Sequence, residues 1–120
     1  MLLNEPEAPA IRSAFAYSEA RYIGVFNAFE CELKLLKEYG PKGLSAFRSF
    51  IATHHVEIVA FDLNQQQIAI DAYHRFGRGI HPAKLNMGDC CAYAAARIKD
   101  APLLCKGDDF PQTDLPLVPW

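Results

Sequence analysis

The chain has 120 residues, 51% of them hydrophobic and 22% charged, and a formal net charge of −2. This is the composition of one globular domain, residues 1–120, long enough for its own core and too short for two. The charge excludes a simple basic nucleic-acid binder, yet leaves room for a nuclease, because a metal site can hold a phosphate inside an acidic protein. Cys31, Cys90, Cys91 and Cys105 form neither a C-x-x-C pair nor a His/Cys ladder, so they read as small buried hydrophobes rather than as a zinc site or a disulfide framework. A signal peptide, a transmembrane run and a lipidation motif are all unmarked in the sequence, so a cytoplasmic protein without a membrane partner is expected.

Asn4-Glu5-Pro6-Glu7 has the capping residue, early proline and first-turn acids of a helix start, and Ala10, Ile11, Ala14 and Phe15 continue an apolar face to about Tyr17. Tyr22–Val25 reads as a short strand. A second helix is expected from Asn27 to Tyr39, closed by Gly40 and Pro41, with Phe29, Leu33, Leu36 and Tyr39 three or four apart. Lys42–His55 should be a third, with Leu44, Phe47, Phe50 and Ile51 inward. His54-His55 would place positive charge at its C-terminal end.

Val56–Phe61, rich in β-branched residues, is the clearest strand. Asp62 or Asn64 then caps a helix through Ile68, Ala69, Ala72 and Tyr73, which Gly77–Pro82 breaks. Asp89–Ile98 is the next helix, Leu103–Cys105 the next strand and Leu115–Val118 an edge strand, a place that suits Pro116. Strands separated by helices imply βαβ units and a mostly parallel sheet covered on both faces.

Four acids stand out. Asp89 opens an alanine-rich helix, and as a purely local feature it is an N-cap after the Gly88 turn, worth about 1 kcal/mol. Asp108 and Asp109 follow a strand and precede Phe110-Pro111, which is also good turn chemistry. Glu30 lies in the first turns of the second helix, where the helix dipole alone could account for it, and Glu32 faces another way. In a parallel sheet, strand ends and the following helix starts converge on one rim. That convergence is expected to gather Glu30, Asp89 and the Asp108/Asp109 pair. Carboxylates so gathered repel one another unless a cation is present, and an all-oxygen set suits Mg²⁺ or Mn²⁺. Arg78, Lys84 and Lys106 flank these blocks and could contact RNA phosphates, as could Arg75 and His81, although a solvated basic loop explains any one of them equally well.

Asn86-Met87-Gly88-Asp89-Cys90, Leu103 through Phe110 and Thr113-Asp114-Leu115 together resemble the PIN-domain ribonuclease toxins of VapC type. The segment Arg78–Asn86 is similar to a large bacterial branch of that family, and Asn4–Ala8 resembles its first helix. The resemblance implies a PIN-like three-layer α/β/α domain with a mostly parallel sheet. It also implies RNA cleavage with Mg²⁺ or Mn²⁺, a homodimer and silencing by a VapB-type antitoxin. By that likeness Glu30 corresponds to the acid of the second helix, Asp89 to the acid opening the late helix, and Asp109, with Asp108 beside it, to the final acid.

The chain departs from the pattern at its beginning. Family members start with a hydrophobic strand ending in Asp-Thr or Asp-Ser, whereas Met1-Leu2-Leu3-Asn4 already stands at the first helix. The N-terminal strand and the first catalytic acid are therefore expected to be missing, and Glu5 and Glu7 cannot take that acid's role. Either the true start lies upstream of Met1, or the protein is a catalytically impaired PIN-like chain that only binds an antitoxin or a dimer partner. An unrelated small α/β binding protein, its acids all caps and turns, is a third reading.

Overall fold

The computed structural model describes residues 8–16 and 18–119, so the expected helix start at 4–7 and the last expected position, Tyr17, lie outside the described residues. The chain divides into a first unit ending at Val59 and a second spanning Ala60–Pro119.

The first unit carries α1 (Ala8–Ala16), β1 (Tyr22–Gly24), α2 (Val25–Tyr39), α3 (Pro41–Thr53) and β2 (Glu57–Val59). The two strands pair in parallel, with Ile23 opposite Ile58, as the alternation of strands and helices requires. The second strand is shorter than the apolar run 56–61 suggested. Helix α2 begins two residues before Asn27, directly from the strand, with Gly24 at its N-cap and no side-chain cap. Gly40 turns the chain with φ +69° while its N–H caps the Leu36 carbonyl at 2.9 Å, and Pro41 opens α3 at once.

The joint folds α3 back on α2 around Ala28, Leu35 and Phe47, with Ile23 and Ile51 packed alongside. At the crossing Gly43 meets the α2 backbone: a Cβ there would sit 2.5 Å from the Leu35 carbonyl oxygen. The apolar stripe read from α2 is not the buried one. Phe29 is 56% and Tyr39 55% exposed, with Leu33 and Leu36 also exposed, because Ala28 and Leu35 face α3 and the larger residues lie off that line. The cation at the end of α3 is also different from the one expected. Arg21 donates to the His54 carbonyl at 2.9 Å and lies over the Phe15 ring, while the His54 ring packs on Phe15 and Phe50.

The second unit is α4 (Leu63–Phe76), α5 (Met87–Ile98) and an irregular C-terminal segment with a 3₁₀ turn at Phe110–Gln112. Asp62 caps α4 by accepting the Gln65 N–H at 2.9 Å, and the buried Gln65 amide donates to the Ala60 carbonyl. Ala69, Ala72, Ala94 and Ala96 let the helices approach closely around Tyr93, Leu85 and Cys90. Between the helices, Gly77 and Leu85 form a parallel bridge that closes the 77–85 loop, with the Leu85 N–H donating to the Phe76 carbonyl.

The strands expected at 103–105 and 115–118 reduce to one parallel bridge, Leu103 to Leu117. Pro116 has no N–H with which to extend the pairing towards Ala101, and contributes only its carbonyl, to the Leu103 N–H at 2.9 Å.

Gly43→Ala should therefore destabilise the protein by about 1–3 kcal/mol, because the added methyl overpacks against backbone rather than a flexible side chain. A lowered urea midpoint with unchanged slope is the expected result.

Candidate functional site

Asp89 is not the cap of α5 but its third residue. Asn86 is the N-cap: its side-chain oxygen accepts the Asp89 N–H at 2.8 Å, while Asp89 Oδ2 accepts the Asn86 N–H at 3.0 Å. This reciprocal capping box orients the Asp89 carboxylate at the positive end of the helix through one of its oxygens.

Asp109 caps the 3₁₀ turn by backbone alone, and Asp108 precedes it. A compact set of hydrogen bonds shapes this turn. The Gln112 side-chain amide donates to the Asp108 carbonyl at 3.0 Å, and the Gln112 N–H donates to that of Asp109 at 3.2 Å. The Thr113 hydroxyl donates to the Phe110 carbonyl at 2.8 Å. Asp108 is exposed and Asp109 half-buried.

Glu30 belongs to the first unit, exposed on α2 with the Asn27 amide donating to its Oε1 at 3.4 Å. Because α2 starts at Val25, Glu30 is the sixth helical residue, beyond the first turn where the helix dipole would account for it. Asp89, Asp108 and Asp109 share the second unit. Among the described residues, no group of three or more His, Cys, Asp or Glu stands close enough to hold one ion. The donor chemistry still fits a hard divalent ion, since every acid in question offers carboxylate oxygen.

Of the basic candidates, Arg78 and Lys84 ride on the loop closed by the Gly77–Leu85 bridge. The Arg78 N–H donates to the Leu85 carbonyl at 3.0 Å, and Lys84 adopts a left-handed φ of +53°. Lys106 is exposed beside Gly107, whose φ is +96°. His81 points inward: its Nδ1 accepts the Ala83 N–H and its ring meets Phe76 edge-on.

Cys90 and Cys91 are buried as expected, whereas Cys31 is exposed. Burial, with the Asp89 charge adding to it, pushes the Cys90 thiol up to about 11, so it packs as a neutral group and is no nucleophile. A cleft of about 560 Å³ opens beside α4 and the start of α5, lined largely by Phe61, Ile70, Tyr73 and Met87 with Arg78 and Asn86 at hand. Asp89, Asp108 and Asp109 do not line it.

The polar centre of the second unit is one that sequence reasoning missed. Asp114 accepts the Tyr93 hydroxyl at 2.6 Å, Arg75 Nη2 at 2.8 Å and Arg97 Nη2 at 2.9 Å. The partners come from α4, α5 and the C-terminal segment, so only the sequence spacing of Tyr93 and Arg97, four apart on one helix, hinted at any part of it. Partial burial works to raise the Asp114 carboxyl, but the hydrogen bonds from Tyr93, Arg75 and Arg97 outweigh it and hold the group at about 2.

The chain matches the PIN domain family over residues 1–115. It is 34% identical over 118 residues to Ribonuclease VapC of Mycolicibacterium smegmatis, an alignment covering 98% of this chain and 92% of the relative. It is likewise 34% identical to Ribonuclease VapC30 of Mycobacterium tuberculosis, covering 98% and 90%. Ribonuclease VapC36 of the same species is 33% identical over 112 residues, covering 93% and 81%.

Because the native Asp114 carboxyl is held below its ordinary 3.8, its contribution to stability is complete above about pH 4 and is lost as pH falls towards about 2. Denaturant unfolding across that window should show a steeper fall for the wild type than for Asp114→Asn. Parallel curves would contradict the assignment.

Proposed function

The chain belongs to the PIN domain family, and from that premise we propose that it is a metal-dependent endoribonuclease toxin of VapC type. The observation that carries this reading is the likeness to VapC ribonucleases along nearly the whole chain. Asp89, Asp109 and Glu30, with Asp108 in support, are each assigned the role of a metal-ligating acid for Mg²⁺ or Mn²⁺. When bound, such an ion supplies an activated water and neutralises charge developing on the scissile phosphate. The likeness of both halves to one family also supports reading residues 1–120 as one PIN-like domain.

The chain's own groups have clear parts in this reading. Asp89 is supported in its role by the capping box, which holds the side chain through Oδ2 and leaves Oδ1 outside the box. Arg78 and Lys84, on a loop tied down by backbone hydrogen bonds, would bind RNA phosphates, and Lys106 would do so beside the Asp108/Asp109 turn. Such contacts hold the substrate without reading its sequence.

A VapB-type antitoxin is the proposed protein partner. The exposed stripe of Phe29, Leu33, Leu36 and Tyr39 along α2 supports this, since a helix that leaves its large apolar residues in solvent offers a surface to a partner. A homodimer is proposed from the family likeness. Among the described residues no helix is long and apolar enough to cross a membrane, and a cytoplasmic location is proposed.

Asp89→Asn is the sharpest test. Asparagine keeps an oxygen that can accept the Asn86 N–H, so the capping box persists while the charge is removed. Manganese-dependent cleavage of RNA should fall by about 10²–10³-fold, the usual cost of deleting one electrostatic stabiliser, with the melting temperature little changed. Undiminished cleavage would sink the assignment. A wild-type protein that binds antitoxin but cuts no RNA with Mn²⁺ present would favour the binding-only reading.

A further inference from the structure

Phe110 lies within the turn that carries Asp108 and Asp109, Leu115 lies just after it, and both pack against the α4–α5 core. Apolar contact is non-directional, so these anchors hold the turn down without setting its orientation. Charge-assisted hydrogen bonds do set orientation. The turn's tie of that kind is Asp114, clamped by Tyr93, Arg75 and Arg97, with Arg97 also donating to the Asp114 carbonyl at 3.3 Å. Inside the turn, the hydrogen bonds from Gln112 and Thr113 transmit that orientation back to Asp108 and Asp109.

The receiving helix is the one that presents Asp89. Asp89, Tyr93 and Arg97 follow one another at steps of four along α5, so they share one stripe, about 6 Å apart per step. Whatever binds Tyr93 and Arg97 is registered on the side of α5 that carries Asp89. Tyr93 is itself only 2% exposed, held by Phe76 and the surrounding alanines, so its hydroxyl is a fixed reference point.

We propose that Asp114 is a positioning residue: clamped to Tyr93, Arg75 and Arg97, it registers the Asp108–Thr113 turn against α5 so that Asp109 and Asp108 keep a constant place relative to Asp89. The inference rests on the reading of Asp89 and Asp109 as metal-ligating acids. Asp114 itself ligates nothing, its carboxylate oxygens being occupied by the two guanidinium groups and the hydroxyl.

The test measures Mn²⁺ binding by calorimetry and amide exchange at Gln112 and Thr113, on the full chain carrying Asp114→Asn, Tyr93→Phe, Asp114→Glu or Asp109→Asn. Tyr93→Phe keeps the ring in the core and removes only the hydroxyl, so it reports even if Asp114→Asn folds poorly. Both Asp114→Asn and Tyr93→Phe should weaken Mn²⁺ binding by about 10–100-fold, as loss of a group that orients a ligand does. Both should also speed exchange of the Gln112 and Thr113 amides by about tenfold, with α4 and α5 amides unchanged. Asp114→Glu should recover part of both. A loss of melting temperature with Mn²⁺ affinity unchanged in Asp114→Asn and Tyr93→Phe would make the clamp merely structural and overturn the proposal, provided Asp109→Asn abolishes binding. If Asp109→Asn also binds Mn²⁺ like the wild type, the metal-ligand reading fails, and the positioning role falls with it.

Discussion

A tyrosine hydroxyl taken out of water needs a partner, and in the second unit that need organises everything around it. The Tyr93 ring sits among Ala72, Ala94 and Phe76, and its hydroxyl reaches Asp114 at 2.6 Å. The Asp114 carboxylate in turn draws positive charge, and Arg75 from α4 and Arg97 from α5 supply it. With its side chain 39% exposed, Asp114 would contribute little as half of one surface ion pair. Three donors from two helices converging on one carboxylate are a different case, because each holds the others in place. The segment after α5 has a lone bridge and one short turn for regular structure, so this clamp and the apolar anchors beside it give the segment its course.

Close backbone approach plays the corresponding part in the first unit. Gly40 supplies a positive φ that reverses the chain in one residue, and Gly43 allows α3 to pass against the Leu35 carbonyl. The packed line between α2 and α3 is consequently made of a small residue, Ala28, with Leu35 and Phe47. Phe29, Leu33, Leu36 and Tyr39 are left outside, where a protein partner can use them. An apolar stripe and a core-facing stripe are thus separate properties of the same helix.

Each acid of the proposed site has a local explanation as well as a chemical one, and the two are compatible. The capping box satisfies backbone N–H groups at the start of α5 and at the same time holds the Asp89 carboxylate in one rotamer. The Asp108/Asp109 turn is tied by its own side chains before any ligand is considered. Cys90, the next residue, is buried in the α4–α5 core as a neutral thiol. This is the arrangement expected where ligating groups are set in place by hydrogen bonds made for structural reasons.

Local sequence was enough for what depends on neighbours in the chain. Helices α2 to α5 could be read from apolar periodicity, their ends from Gly40, Pro41, Asp62 and Gly77, and the parallel pairing of β1 and β2 from the helices between them. The motif blocks around Asp89 and Asp108-Asp109-Phe110 carried the family, because their residues are contiguous and keep their spacing whatever the fold does around them. Three things lay beyond it. Periodicity marks an apolar face without saying what covers it, so the exposure of Phe29 and Tyr39 came only with α3 in place. Strand propensity at 103–105 and 115–118 comes to one bridge, where Pro116 lacks the N–H that would extend the pairing towards Ala101. Most of all, Arg75, Tyr93, Arg97 and Asp114 are scattered over 39 residues, and nothing in their separation ties them. Their meeting is a product of tertiary packing, since helix α4 must lie against α5 before one carboxylate can be reached from both.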